Sequence, residues 1–295
     1  MYPSEFEYFV PRTVGEAVRL LDQYGDAAKV LAGGQSLLPM MKLRIATPQY
    51  LIDVNRIDGL GGVRREGDRL VIGALCRHAE MVASPVVADV SLLADAASLT
   101  ADVQVRNRGT VGGSLVHADP AGDWPTALMA LETEVAIAGP GGSRTVPLHE
   151  FIVDAYTTGL AVNEILTAVS VRLPAAPRGG AYVKFERRAG DFASASVGVQ
   201  LELEGSRCRT VAISLGALGA TPIRARAAED RLRDASSAVD ALNEAERLVR
   251  EAAQPFADTR GSVEYKRHLA GVLFRRAFGA AVERARGRQV ATLHP

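Results

Sequence analysis

Cysteine is scarce in this chain of 295 residues, which contains two, Cys76 and Cys208. Two thiols cannot build a disulfide framework, and an iron–sulfur cluster needs about four thiolates. We therefore expect any metal redox centre that works with this chain to lie on another chain. The segment Met1–Glu7 has neither a basic stretch nor an apolar run, so the sequence favours a cytoplasmic location.

The chain also lacks an excess of either charge and a long apolar run. Its 34 Lys and Arg residues balance 34 Asp and Glu residues, whereas nucleic-acid binding normally needs a clear basic excess. No apolar stretch approaches the roughly 18 residues that span a membrane. With 47% hydrophobic and 23% charged residues, the composition is that of a packed protein, and the length suffices for two domains.

The order of the predicted elements indicates an α+β protein with two units. Strand, helix and strand patterns occupy about residues 1–55. Thr13 and Glu16 stand at capping-box spacing at the start of the helix, and Gly25 is its predicted end. A second lobe at 56–175 contains helical patterns and a hairpin around the turn at 139–143.

The remainder of the chain has a different pattern, in which strands come before helices. A Pro, Gly and Ala stretch at 175–180 predicts a linker. Three strands followed by three helices favour an antiparallel sheet covered by a helical layer. The predicted strands are 181–187, 196–204 and 208–218, and the predicted helices are about 224–234, 236–253 and 261–285.

Two glycine pairs are the strongest chemical signals in the sequence. Gly33 and Gly34 lie in Ala-Gly-Gly-Gln-Ser after a predicted strand, and the second pair lies in Thr-Val-Gly-Gly-Ser at 110–114, in a predicted loop. Paired glycines let backbone N–H groups approach an anion without interference from a Cβ atom. Two such loops suit the two phosphates of a dinucleotide, although one Gly-Gly pair alone is more often an ordinary tight turn. Neither loop is a Walker loop or a Rossmann fingerprint.

Other chemical groupings in the sequence are weaker. Ser114, His117 and Asp119 have the residue types of a hydrolase triad, but a triad draws its members from distant segments. His117 and Asp119 also lack further metal ligands nearby. We therefore predict no catalytic nucleophile and no metal site on this chain. Asp123 fits a helix N-cap or an acceptor for a ribose hydroxyl, and Lys184, taken alone, is typical of a solvated strand residue.

Longer motifs around the glycine pairs resemble a known family. The segment Leu31–Arg44 resembles the first FAD loop, and Gln104–Asp123 the second, of the flavoprotein (medium) subunits of molybdenum hydroxylases, the carbon monoxide dehydrogenase/xanthine dehydrogenase family. Lys184–Ala193 resembles the segment that opens the C-terminal domain of these subunits. The three motifs occur in the family's order, and the resemblance covers nearly the whole chain.

The resemblance implies a fold and a division into domains. Residues 1–175 would form a vanillyl-alcohol-oxidase/MurB-like (PCMH-type) FAD-binding domain, with lobes at about 1–55 and 56–175. Residues 176–286 would form the C-terminal domain typical of CO dehydrogenase flavoproteins, followed by a tail at 287–295.

The resemblance also implies contacts to FAD. The first loop would bind the pyrophosphate, and the second would bind a phosphate and the ribityl chain. Asp123 would accept hydrogen bonds from the ribityl or ribose region, and Lys184 would reach the pyrimidine edge of the flavin. Ile165 or Leu166 would contact a flavin ring, and Phe192 would stack on the isoalloxazine. The assigned cofactor-binding residues are Leu31, Ala32, Gly33, Gly34, Gln35, Ser36, Leu37, Thr110, Val111, Gly112, Gly113, Ser114, Asp123, Leu166, Lys184 and Phe192.

The implied activity is electron transfer within a complex. FAD on this chain would accept electrons from a small 2Fe–2S subunit, while a large molybdopterin subunit oxidises the substrate, in a dimer of heterotrimers. The external acceptor stays open between a quinone, a cytochrome, NAD and oxygen. One alternative is a stand-alone flavin-dependent oxidoreductase, which would need its own base near the flavin. Another is a non-catalytic assembly protein that retains the fold.

Overall fold

The computed structural model describes residues 2–173, 178–205, 207–233 and 239–292. Within these residues the chain forms three larger sheets of three, five and four strands, together with one two-stranded sheet. Three separate clusters of buried apolar side chains accompany the larger sheets. The architecture is therefore α+β in two lobes and a C-terminal domain, as the sequence predicts.

A parallel sheet forms the N-terminal lobe. Its central strand, β3, pairs with β1 on one side and β2 on the other. The helix between the first two strands confirms its predicted ends: the Thr13 hydroxyl accepts a hydrogen bond from the Glu16 N–H at 3.1 Å, and Gly25 follows its last residue with φ of 51°. The elements are β1 (Glu7–Phe9), α1 (Val14–Tyr24), β2 (Ala28–Leu31), α2 (Leu37–Lys42) and β3 (Tyr50–Asp53).

The second lobe is built on an antiparallel sheet. Its elements are β4 (Val63–Glu66), β5 (Arg69–Gly73), α3 (His78–Ala83), α4 (Pro85–Ala88), α5 (Ser91–Leu99), α6 (Val103–Arg106), α7 (Val111–His117), α8 (Asp123–Met129), β6 (Glu132–Gly139), β7 (Gly142–Pro147), α9 (Leu148–Phe151), β8 (Ile152–Asp154), β9 (Thr157–Thr158) and β10 (Ile165–Arg172). The strand order is β4-β5-β10-β6-β7, and β8 pairs with β9. The helices α5, α7 and α8 bury their apolar faces in the same cluster as this sheet.

One prediction for this lobe is wrong. The sequence predicts a loop through the second glycine pair, but these glycines lie in the first turn of α7. The cause is Thr110, which is extended and caps the helix by accepting a hydrogen bond from the Gly113 N–H at 3.1 Å. Such a cap satisfies a donor that the helix leaves free, so the helix begins despite two glycines.

The C-terminal domain has the predicted antiparallel sheet and helical layer. Its elements are β11 (Arg178–Phe185), β12 (Ala195–Glu204), β13 (Arg207–Gly216), β14 (Ile223–Arg224), α10 (Arg226–Leu232), α11 (Val239–Ala252) and α12 (Val263–Ala285). The strands pair in chain order, and α12 packs across β11 and β12. Parts of two predicted helices at 234–238, and the end of the predicted tail at 293–295, lie outside the described residues.

The predicted linker is shorter than expected, because strand β11 already begins at Arg178. A Cβ atom at Gly179 would lie 1.9 Å from the Ala281 carbonyl oxygen, so only glycine lets this strand approach α12 so closely. Residues 174–177 of the predicted linker lie outside the described residues. On its other side β11 contacts α5, where the Ser91 hydroxyl donates to the Gly180 carbonyl at 2.8 Å. This strand therefore joins the C-terminal domain to the second lobe.

Candidate functional site

The first glycine loop, Ala32–Ser36, connects β2 to α2 and presents a row of free backbone donors. Among the described residues, the N–H groups of positions 33–37 have no protein acceptor. Gly34 has φ of 74°, a left-handed conformation that favours glycine. Consecutive free N–H groups at such a turn form a site for an anion. The loop therefore has the donor geometry that the sequence predicts.

The second loop differs from this prediction. The N–H groups of positions 111–114 already donate within the protein, in order to the Cys76 carbonyl, the Ala74 carbonyl, the Thr110 hydroxyl and the Thr110 carbonyl, at 3.0 to 3.1 Å. This segment offers a ligand the Ser114 hydroxyl and a surface without a Cβ atom at Gly113. A Cβ atom built there would lie 4.0 Å from the Cβ of Ala32, so the open surface faces the first loop.

The two loops touch through their backbones. A Cβ atom at Gly33 would lie 2.3 Å from the Arg108 carbonyl oxygen and 2.8 Å from the Cα of Gly109. Real Cβ atoms do not come this close to backbone atoms, so glycine at position 33 is a requirement of the contact. The two glycine pairs lie far apart in the sequence, and the structure brings their loops into contact.

A buried ionic cluster lies at the junction of the two domains. Lys184, on β11, is 1% exposed, so the interpretation of this residue alone as a solvated strand position is wrong. Its ammonium lies 3.4 Å from the Asp123 carboxylate and 2.9 Å from that of Glu186. It also donates to the carbonyls of Leu99 at 2.6 Å and Asp191 at 3.1 Å. Desolvation of a buried cation is compensated only by such partners.

Asp123 is the first residue of α8 and follows the N-cap, Gly122, so it does not itself cap the helix. Its carboxylate accepts a hydrogen bond from the Tyr182 hydroxyl at 2.7 Å. Burial raises the pKa of Asp123, and the favourable effects of Lys184 and Tyr182 offset only part of this increase. The structure thus brings together Asp123 and Lys184, which the sequence assigns to the same cofactor from positions far apart in the chain.

His78 links the second loop to α8, and the sequence analysis missed it. Its backbone N–H donates to the Gly109 carbonyl at 3.0 Å, and the Nδ1 atom of its ring accepts a hydrogen bond from Trp124 Nε1 at 3.0 Å. Burial, followed by Arg77 and Arg106, lowers the pKa of His78 to about 4. The imidazole is therefore neutral at pH 7. No spacing rule connects a histidine to a tryptophan so far along the chain.

The two remaining predicted contacts occupy different environments. Leu166, on β10, is 4% exposed and belongs to the same apolar cluster as Val111, at the start of α7. Phe192 is 46% exposed and follows Asp191, whose carbonyl accepts from Lys184. Leu166 is therefore buried in the core to which α7 also contributes, and Phe192 lies at the surface next to a residue of the ionic cluster.

Two of the three residues that have the types of a hydrolase triad, His117 and Asp119, contact other groups. The His117 ring packs against Tyr156 at 5.3 Å between centroids, and the Asp119 carboxylate accepts from the Ala121 N–H at 2.9 Å. In the described part of the chain, no three His, Cys, Asp or Glu side chains are grouped so that they would hold a metal ion. Nor does any helix there have the length and apolar character to cross a membrane.

A first glycine loop with free N–H groups, in backbone contact with a second glycine loop, and a buried Lys–Asp pair are features of a two-domain nucleotide-binding protein. Residues 4–176 match the FAD binding domain in molybdopterin dehydrogenase, and residues 180–281 match the CO dehydrogenase flavoprotein C-terminal domain. The chain belongs to this family of FAD-binding flavoproteins. The family, the fold class and FAD as the cofactor are thereby confirmed.

Known proteins resemble this chain over almost its entire length. The carbon monoxide dehydrogenase medium chain of Hydrogenophaga pseudoflava is 43% identical, over 95% of this chain and 98% of the relative. The glyceraldehyde dehydrogenase medium chain of Sulfolobus acidocaldarius is 35% identical, over 94% and 99%. A solved structure of the Hydrogenophaga carbon monoxide dehydrogenase, lacking the Mo-pyranopterin moiety of the molybdenum cofactor, matches with a TM-score of 0.93, covering 96% of this chain and 99% of that chain. The predicted class, a subunit of an oxidoreductase, is confirmed.

Proposed function

We propose that this chain is the electron-transfer subunit of a molybdenum-containing dehydrogenase complex. The chain would hold FAD between a 2Fe–2S subunit, which would supply the electrons, and an external acceptor, which would take them. The observation that carries the proposal is the row of free N–H groups at 33–37, held in backbone contact with the second loop. This arrangement fits a diphosphate, and it occurs in a chain whose relatives are named medium chains.

The residues of this chain would hold the cofactor in four ways. The first loop would donate N–H groups to the diphosphate, and the second loop would offer the Ser114 hydroxyl and the open surface of Gly113. Asp123 would accept hydrogen bonds from the sugar region, and Lys184 would stabilise negative charge at the flavin. The proposed contact residues are Leu31, Ala32, Gly33, Gly34, Gln35, Ser36, Leu37, Thr110, Val111, Gly112, Gly113, Ser114, Asp123, Leu166, Lys184 and Phe192.

When bound, FAD would supply the redox chemistry, because a flavin can collect two electrons that arrive one at a time from a 2Fe–2S cluster and deliver them to an acceptor. The protein supplies position and charge. With two cysteines in the whole chain, a 2Fe–2S cluster would have to be carried by a partner subunit. We propose a small 2Fe–2S subunit and a large molybdopterin subunit as partners, assembled as a dimer of heterotrimers.

Substrate choice is placed on the large subunit in this proposal. Medium chains of similar sequence are named after complexes that act on carbon monoxide and on glyceraldehyde, which supports a substrate-independent role for this chain. A cytoplasmic location fits the cysteines, because Cys76 and Cys208 are both buried as free thiols. The domain boundaries proposed from the sequence, 1–175, 176–286 and 287–295, remain part of this proposal.

The decisive experiment compares the flavin in the isolated chain with the flavin in the complex. The chain is purified alone and co-purified with its partners, and the cofactor is released and identified. We expect FAD in both preparations. We also expect bleaching of the flavin absorbance by an oxidisable substrate of the complex only when the 2Fe–2S and molybdopterin chains are present.

Three outcomes would contradict the proposal. Substrate-dependent bleaching of the isolated chain would establish the stand-alone oxidoreductase, because no electrons would then need to arrive from a partner. Absence of flavin from both preparations after incubation with excess FAD would favour the assembly protein. Release of FMN in place of FAD would remove the assignment of the two loops to a diphosphate.

A further inference from the structure

We propose that Asn55 and Arg77 clamp the two glycine loops together and thereby act as positioning residues for the FAD diphosphate. This inference rests on the proposed function. The Asn55–Arg77 clamp consists of these two side chains and the carbonyl groups of Ala32 and Arg108 that they bind. Neither side chain belongs to a glycine loop, and neither is among the sequence-predicted cofactor contacts.

Asn55 forms the half of the clamp that holds the first loop. Its side-chain Nδ2 atom donates to the Ala32 carbonyl at 2.8 Å and to the Asp53 carboxylate at 2.6 Å. These two bonds use both hydrogens of the amide group. The Asn55 side chain therefore has a fixed orientation, and its oxygen atom must point away from the first loop.

Arg77 forms the half that holds the second loop. One guanidinium nitrogen, Nη2, donates to the Asn55 side-chain oxygen at 2.5 Å. The other, Nη1, donates to the Arg108 carbonyl. This carbonyl is the group against which Gly33 packs. The clamp and the glycine contact thus meet at one oxygen atom, which fixes the separation of the loops from both sides.

The clamp is anchored in the sheet of the N-terminal lobe. Asp53 ends β3, and its carboxylate accepts hydrogen bonds from the Tyr8 hydroxyl and from the Asn55 N–H at 2.9 Å. Burial raises the pKa of Asp53, but the bonds from Tyr8 and Asn55 outweigh it and the net pKa is lowered. An ionised Asp53 accepts hydrogen bonds only, so it keeps the Asn55 amide in the orientation that binds Ala32.

The test separates positioning from simple attraction of a phosphate by the Arg77 charge. Arg77→Lys keeps the charge but lacks the planar fork that binds two acceptors at once. Asn55→Asp keeps the shape and the acceptor for Arg77, but it removes the donor to Ala32 and to Asp53 and places a second carboxylate beside Asp53. Positioning predicts that each substitution weakens FAD binding by about tenfold or more. The matched control is Arg64→Lys, at an arginine with a 57% exposed side chain.

FAD is titrated into each apoprotein, and flavin fluorescence gives the dissociation constant. The visible circular dichroism of the flavin at saturation reports on its environment, which a loss of stability alone would not alter. We expect changed spectra for Arg77→Lys and Asn55→Asp and a wild-type spectrum for Arg64→Lys. In the double variant the two losses should not add, since both break the same clamp.

If Arg77→Lys binds FAD with wild-type affinity while Arg77→Gln loses affinity, the inference is overturned, because the positive charge at position 77 would then attract the phosphate without positioning the loops. Additive losses in the double variant would also overturn it, because they would mean two independent effects. If either Arg77→Lys or Asn55→Asp fails to fold, the FAD affinity and the flavin spectrum of the other variant decide the test. Failure of the wild-type chain to bind FAD would instead overturn the proposed function, so the two failures are distinguishable.

Discussion

At the scale of single residues, burial decides the protonation of His78 beside the second loop. Its ring is held neutral and accepts a hydrogen bond from Trp124, whereas the buried Lys184 side chain lies among four acceptors. A histidine with a lowered pKa binds fewer protons when folded than when unfolded. Its contribution to stability is therefore present above the unfolded pKa of about 6.5 and is lost as the pH falls towards the folded value.

The hydrogen bond between His78 and Trp124 can be observed directly, because this tryptophan is the only one in the chain. Protonation of Nδ1 would break the bond, so we expect a change in tryptophan emission with a midpoint at about pH 4. Over the interval from pH 6.5 down to this value, the free energy of unfolding should fall by about 3 kcal/mol through this group.

The measurement is an emission titration accompanied by urea unfolding at each pH. His78→Gln should remove the emission transition, since an amide oxygen accepts without titrating. His149→Gln, at a side chain that is 64% exposed, should leave it unchanged. An emission midpoint near pH 6.5 in the wild-type chain would mean that His78 is solvated and that its role described above is wrong.

Some residues of the site could be predicted from the sequence and others could not. Glycine pairs are recognisable because few other residues allow close backbone approach. The burial of Lys184 depends on the Leu99 carbonyl and on β11 packing beside α5, which no local pattern reveals. The Asn55–Arg77 clamp joins side chains from different elements, and its two residue types are common on protein surfaces.

At the scale of elements, the glycines in helices serve different purposes. In α7, the Cβ of any residue at position 113 would lie 2.6 Å from the Thr110 hydroxyl that caps the helix. In α12, a Cβ at Gly279 would meet no atom within 4 Å. The first glycine is thus required by its surroundings and the second is not, although both look alike in the sequence.

This contrast gives a matched pair of variants. Gly113→Val should abolish FAD retention, because its side chain would displace the Thr110 hydroxyl and extend towards the first loop at Ala32. The corresponding substitution in α12, Gly279→Val, should leave the flavin content unchanged. Flavin content is measured by absorbance of the purified proteins, with far-ultraviolet circular dichroism to verify folding. Full flavin content in Gly113→Val would exclude this surface from the cofactor site.

At the scale of the whole molecule, a buried ion pair joins the two domains. Arg284, in α12, donates to both carboxylate oxygens of Asp95, in α5, at 2.5 and 3.0 Å. Asp95 is 2% exposed and also accepts from the Tyr182 N–H at 3.2 Å. Tyr182 in turn holds Asp123, so the ion pair and the ionic cluster share one strand.

Removal of one partner should therefore be costly. We expect Arg284→Met to lower the free energy of unfolding by about 3 to 5 kcal/mol, since it leaves the buried Asp95 carboxylate without its charged partner. The loss is measured by urea unfolding. Asp95→Leu combined with Arg284→Met should cost less than the sum of the two single changes. Arg288→Met, at a side chain 67% exposed, should change stability by about 0.5 kcal/mol or less. Strict additivity would show that the pair is not a unit.

The sequence predicts two lobes that mix helices and strands, followed by a domain in which strands come before helices, because the order of helical and strand patterns along the chain reflects the layers of the fold. The position at which the linker ends could not be predicted. Gly179 belongs to a strand because the backbone of α12 lies against it, and this helix is far away in the sequence. Long-range packing thus determines where a domain begins.

The contact between Gly33 and the Arg108 carbonyl also has an evolutionary consequence. The smallest available replacement, alanine, would already place a carbon 2.3 Å from that oxygen, so there is no gradual path by which this position can acquire a side chain. A side chain at this position could be accommodated only if the segment that carries the Arg108 carbonyl moved at the same time, which would pull the two loops apart.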